Sequence, residues 1–136
     1  MPDTLDRFVR AQADSYADAL AELTAGAKRS HWMWFVFPQI AGLGRSQTAI
    51  HYAITDLDEA RRYLAHPLLG PRYLACAEAL LRHAGYDAAA IMGAIDAVKL
   101  RSSLTLFDAA GAPPVVAQAI AAFFPGPDPA TLRLIG

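Results

Sequence analysis

Hydrophobic residues along this chain recur every three or four positions, which is the spacing of one face of an α-helix. The first such stretch covers residues 5–23, and polar residues near 14–15 interrupt it. Further stretches cover residues 46–53, 56–64, 67–85, 87–91, 96–107, 114–124 and 128–134. Alternating patterns typical of strands are weak, and alanine is abundant. The pattern therefore predicts an all-α fold of about six to eight short helices.

Residues that commonly cap helices stand at the starts of these stretches. The candidate N-caps are Asp3, Ser46, Asp56, Asp87, Asp96 and Asp128, and Asp56 is followed by Glu59 at the spacing of a capping box. Residues 28–37 allow two interpretations. Their aromatic content favours a strand, whereas Ser30 as a cap and Pro38 as a terminator favour a short helix.

Composition narrows the classes of protein that the chain can belong to. Its 136 residues predict one domain over 1–136, and 54% hydrophobic against 18% charged residues exclude disorder. Twelve Lys and Arg against 13 Asp and Glu argue against a nucleic-acid-binding protein. The single cysteine, Cys76, excludes a disulfide framework, and the four histidines lack metal-ligand spacing. We expect no metal, no cofactor, no membrane association and, without a leader-like N-terminus, a cytoplasmic location.

The most unusual stretch covers residues 26–39, which we call the aromatic segment, and it contains both tryptophans, Trp32 and Trp34. Lys28, His31 and Gln39 lie in the same stretch, and all can hydrogen-bond a ligand. An indole face can stack on a planar ring, and a lysine can neutralise a phosphate or carboxylate. The alternative is that the aromatic side chains belong to the hydrophobic core.

The predicted helix over 96–107 carries a second set of polar residues: Asp96, Lys99, Ser102 and Ser103. Lys99 is spaced to pair with Asp96 one turn before it and with Ser103 one turn after it. Ser102 and Ser103 are poorer helix formers than the alanines that are abundant in this chain, which indicates that their hydroxyl groups have a role other than helix formation. Three interpretations stay open: an exposed polar face, a Ser–Lys nucleophile pair, or a stripe that contacts a ligand.

Several blocks of the sequence resemble a bacterial family known as domain of unknown function 1810. They cover residues 6–12, 28–39, 42–46, 59–70 and 96–107, and the most specific block reads SHWMW at 30–34. The resemblance implies a small, mainly helical fold and supplies no activity. Some family members are labelled calpastatin, but calpastatin inhibitory segments are polar and disordered, unlike this apolar chain.

These observations lead to a hypothesis in which the two polar sets meet across one cleft. The cleft would bind a small anionic, nucleotide-like or sugar-phosphate ligand through Lys28, Ser30, Trp32, Trp34, Gln39, Ser46, Ser102 and Ser103. Ser46 is included because backbone amides leading to it could bind an anion. If the site is catalytic, we expect hydrolysis of an N-glycosidic bond, with Asp96 as the carboxylate and His31 or Lys99 as its acid–base partner. A loose resemblance of residues 64–81 to the ADP-ribose-processing NADAR family implies the same reaction.

Two other functions remain possible on the sequence alone. The aromatic segment could be the docking patch of a non-enzymatic helical interaction module, or its role could be purely structural. The three hypotheses differ in geometry. Polar groups that converge on a concavity favour a ligand site, a flat apolar patch favours an interaction module, and fully buried polar pairs favour a structural role. The oligomeric state is left open.

Overall fold

The amphipathic stretches form helices almost wherever the hydrophobic pattern predicts them. In the computed structural model, which describes residues 4–136, the helices are α1 (Asp6–Ala13), α2 (Tyr16–Ala25), α3 (Met33–Val36), α4 (Gln47–His51), α5 (Leu57–Ala65), α6 (Leu69–Leu81), α7 (Ala88–Met92), α8 (Ala94–Ala109), α9 (Pro114–Phe123) and α10 (Pro129–Ile135). The all-α prediction is confirmed. The ten helices of this region exceed the expected six to eight because the first stretch splits in two and some helices have only one turn. None of them is long and apolar enough to cross a membrane.

Capping side chains fix where many of these helices begin. Four predicted caps are confirmed, because each cap's side chain accepts a hydrogen bond from a backbone N–H in the first turn of its helix. The donors are Ala49 for Ser46, Glu59 for Asp56, Ala89 for Asp87 and Thr131 for Asp128. The prediction for Asp96 is wrong, because α8 already begins at Ala94, after Gly93 at φ 86°. Residues 28–37 contain the short helix α3 rather than a strand, and its N-cap is Trp32, not Ser30. The predicted cap Asp3 lies outside the described residues.

Helix α8 runs through the centre of the fold. It packs against α3, α5, α7, α9 and α10, while α6 packs against α2, α5 and α9. The core around α8 is aromatic: the Phe107 ring lies 4.4 Å from that of Tyr73 and 5.1 Å from that of Tyr63, between centroids. Residues 102–107 of α8 are all buried, but its first turns leave Ile95 and Val98 exposed. That exposed end adjoins the aromatic segment.

Candidate functional site

Three charged side chains tie the aromatic segment to the start of α8. Lys28 Nζ lies 2.9 Å from one carboxylate oxygen of Asp96, and Lys99 Nζ lies 3.4 Å from the other. Lys99 Nζ also lies 4.0 Å from the ring centroid of Trp34, in a cation–π contact. The two polar sets that the sequence singled out are therefore neighbours in the fold.

A groove opens where these two segments meet, with a volume of about 430 Å³. Its lining residues are Trp34, Gln39, Leu43, Gly44, Ile95, Val98, Lys99, Ser102, Asp128 and Ala130. Its walls are mainly aliphatic and aromatic, and an amine, an amide, a hydroxyl and a carboxylate are set among them. Four of the predicted site residues, Trp34, Gln39, Lys99 and Ser102, thus line one concavity.

The charges around Asp96 are not balanced. Lys28 is largely buried, with 7% of its side chain exposed, and its ammonium also donates to the Ser30 carbonyl at 2.6 Å. It lies 4.9 Å from the ring centroid of Trp32. Because two ammonium groups share the single carboxylate of Asp96, one positive charge is left, and Lys99 carries it at the groove.

Glu22, a residue that the sequence analysis missed, fixes the loop before α3. Its carboxylate accepts from the backbone N–H of Arg29 at 2.7 Å and of Ser30 at 2.9 Å, from the Ser30 hydroxyl, and from Trp32 Nε1 at 3.0 Å. Partial desolvation raises the pKa of Glu22, but the hydrogen bonds from Ser30, Arg29 and Trp32 outweigh it and lower the pKa from 4.5 to about 2. Its sequence position, on the partly polar helix α2, gave no sign of this role.

Trp32 and Ser30 are therefore held against Glu22 and do not line the groove. Trp32 is buried, with 1% exposed, and its ring packs against Phe37 at 6.3 Å between centroids. Trp34, two residues later, is half-buried at the groove. The sequence predicts two alternative roles for the aromatic segment, core and site. Trp32 belongs to the core, and Trp34 lies at the groove.

Asp128 is the second residue that the sequence analysis missed at the site, since it was predicted only as a helix cap. Its Oδ2 accepts from Ser102 Oγ at 3.2 Å, from the Thr131 hydroxyl at 2.6 Å and from the Thr131 N–H at 3.1 Å. Desolvation raises the pKa of Asp128, but these hydrogen bonds, together with nearby Arg101, lower it on balance. The groove therefore carries a carboxylate that is ionised at neutral pH.

The remaining predicted residues lie elsewhere. Ser103 is fully buried, and its hydroxyl is hydrogen-bonded to the Tyr73 hydroxyl at 2.9 Å. Ser46 is exposed, and its hydroxyl accepts from the Ala49 N–H at 3.1 Å. His31 is exposed, and among residues 4–136 it makes no hydrogen bond or ion pair with Asp96 or Lys99. Within the same range, no group of three or more His, Cys, Asp or Glu side chains is placed to hold a metal ion.

The side-chain amide of Gln39 stands out because it makes no hydrogen bond within the described part of the chain. It lines the groove and also a smaller cavity of about 100 Å³, which shares Trp34 and Gly44 with the groove. One free donor group and one free acceptor are thus available beside the Trp34 indole.

Comparison with known proteins agrees with the resemblance carried by the sequence blocks. The model of the family described as "Protein of unknown function (DUF1810)" matches residues 2–135. The crystal structure of the conserved hypothetical protein Rv1873 from Mycobacterium tuberculosis is similar, with a TM-score of 0.94 and 45% sequence identity over 96% of this chain and 95% of that chain. No curated protein matches this chain. The chain therefore belongs to the DUF1810 family of proteins of unknown function.

Proposed function

We propose that the groove binds a small anionic ligand that is either nucleotide-like or a sugar phosphate. One observation carries the proposal: Trp34 and Lys99, from distant parts of the sequence, meet at 4.0 Å on the wall of a groove of about 430 Å³. A largely apolar concavity of several hundred cubic ångströms with a few convergent polar groups is typical of small-molecule sites.

Each polar group of the groove has a partner in such a ligand. The half-buried indole of Trp34 offers a face for a planar ring, and the surplus charge on Lys99 suits a phosphate or carboxylate. The free amide of Gln39 can pair with a ring edge. The carboxylate of Asp128 can accept from sugar hydroxyls, because only its Oδ2 is engaged by hydrogen bonds within the described residues.

A thermal-shift screen of nucleotides, nucleosides, NAD, ADP-ribose and sugar phosphates tests the proposal. A ligand at about one hundred times its Kd adds roughly 2.7 kcal/mol to the free energy of unfolding. We expect a shift of several degrees with an anionic ligand, which Trp34→Leu abolishes and Lys99→Ala reduces. Tyr86→Leu and Arg82→Ala are the matched controls, because both replace exposed side chains that do not line the groove.

The absence of any shift across this panel would refute the proposal for these ligand classes. It would favour the second candidate, a non-enzymatic interaction module, which one observation supports. Ile95 and Val98 on the groove wall are 75% and 66% exposed, an unusual degree for large aliphatic side chains one helical turn apart.

A catalytic version of the proposal is hydrolysis of an N-glycosidic bond in the bound ligand. Such a reaction needs a carboxylate near the sugar to stabilise the positive charge that develops there. Asp96 is engaged by two ammonium groups, whereas Asp128 lines the groove, so Asp128 fits this role better. Release of free base from NAD or a nucleotide, followed by chromatography, would support the reaction if Asp128→Asn abolishes it while ligand binding persists.

A further inference from the structure

We infer that Lys99 determines the specificity of the groove by selecting planar ligands that carry an anionic group over uncharged ones. The inference rests on the proposed function and names the feature of the ligand that the site recognises. It follows from the contact that Lys99 makes with Trp34. Its ammonium lies over the face of Trp34, 4.0 Å from the ring centroid, and so covers the surface on which a ring would stack.

An uncharged ring that stacks on this face has to displace the ammonium. The displaced Lys99 then loses a cation–π contact, and the ligand offers no anionic group in return. An anionic ligand differs in this respect. Its charged group recruits the ammonium into a charge-assisted hydrogen bond, and the same movement uncovers the indole for the ring. One residue thereby couples recognition of the anion to access to the stacking face.

The neighbouring charges allow Lys99 to move. Asp96 holds Lys28 at 2.9 Å but Lys99 only at 3.4 Å, and the side chain of Lys28 is 7% exposed against 22% for Lys99. The carboxylate of Asp96 therefore keeps a close cationic partner when Lys99 turns to a ligand. Lys28 lacks this freedom, because its buried ammonium would lose its counterion.

A second carboxylate fixes where the anionic group lies. Asp128 lines the same groove and is ionised at neutral pH, so it repels an anion from its part of the wall. Lys99 is the cationic side chain among the groove-lining residues. The anion therefore contacts Lys99, and the uncharged part of the ligand lies toward Asp128 and Gln39.

Isothermal titration calorimetry with AMP, adenosine and ribose 5-phosphate tests the inference on the wild-type protein, Lys99→Met and Lys99→Arg. Adenine is the probe ring because a glutamine amide can pair with two adjacent groups on its edge. Methionine keeps an apolar stem of similar length but removes the charge. We expect Lys99→Met to weaken AMP binding about tenfold and to strengthen adenosine binding about threefold. Lys99→Arg should keep the wild-type preference for AMP.

The results separate this inference from the proposed function. If the wild type binds these ligands but Lys99→Met changes both affinities alike, the selection by Lys99 is overturned while the site remains. If no probe binds either protein, the proposed function fails, and the inference fails with it.

Added salt gives a second measurement that needs no variant. From 50 to 500 mM, the AMP affinity of the wild type should fall while the adenosine affinity does not, and an equal response of both would also overturn the inference.

Discussion

Replacement of Glu22 tests how the loop before α3 is held in place. Its carboxylate accepts from two backbone N–H groups, from the Ser30 hydroxyl and from the Trp32 indole, and these bonds lower its pKa from 4.5 to about 2. Glu22→Gln keeps the shape but removes the charge and one acceptor oxygen. The variant should therefore lose the stabilisation that the ionised carboxylate provides.

The pKa shift sets the magnitude and its pH dependence. A decrease from 4.5 to about 2 corresponds to at most roughly 3 kcal/mol. Because Glu22 is partly solvated, we expect Glu22→Gln to cost about 1–2 kcal/mol, or about 3–7 °C in Tm. The folded-state pKa lies below the unfolded value, so this stabilisation is complete above pH 4.5 and is lost as the pH falls toward 2.

Urea unfolding of wild type and Glu22→Gln between pH 7 and pH 3 measures both effects. The difference in free energy of unfolding should be largest at pH 7 and should shrink as the pH falls. Glu78→Gln is the matched control, since Glu78 is exposed on α6 and should show little difference at any pH. Equal stability of wild type and Glu22→Gln at pH 7, or a difference that does not change with pH, would show that the ionised Glu22 carboxylate does not stabilise this loop.

Three further predictions concern the rest of the fold. Glu59 is 1% exposed and pairs with Arg7 at 3.1 Å, so Glu59→Gln should lower the free energy of unfolding by about 3 kcal/mol in urea titrations. A Cβ on Gly70 would clash with the backbone oxygen of Leu64, at the end of α5, so Gly70→Ala should cost about 3 kcal/mol or more in the same titrations. Gly126→Ala, whose added Cβ meets open space, should stay within about 0.5 kcal/mol of wild type. Burial raises the pKa of the Cys76 thiol from 9.0 to about 12, so it should react with a thiol reagent only after denaturation; rapid reaction of the native protein would contradict this placement.

Local signals predicted much of the fold because they act within a few residues. Ser46, Asp56, Asp87 and Asp128 cap helices where the sequence places them, since a cap needs only its own first turn. Asp96 was mistaken for a cap because Gly93, three residues earlier, starts α8 instead. Residues that can cap are common in this chain, and periodicity alone does not distinguish the first turn of a helix from the residue before it.

The site was predictable only in part, because its residues are joined by tertiary contacts. Pairing of Lys99 with Asp96 follows from helical spacing, but the contact of Lys99 with Trp34 depends on how α3 packs on α8. The same packing decides that Trp32 turns to Glu22 and Trp34 to the groove. No spacing rule in the sequence distinguishes these two aromatic positions.

If the groove beside Trp34 binds the ligand, the two tryptophans allow a direct measurement of binding there. In ¹H–¹⁵N spectra, each indole Nε1–H gives its own signal, and Trp34→Leu assigns them. We predict that titration with AMP shifts the Trp34 signal while the Trp32 signal, held on the Glu22 carboxylate at 3.0 Å, stays in place. A Trp34 signal that does not move at saturating AMP, or one that moves no more than that of Trp32, would show that AMP does not bind in this groove.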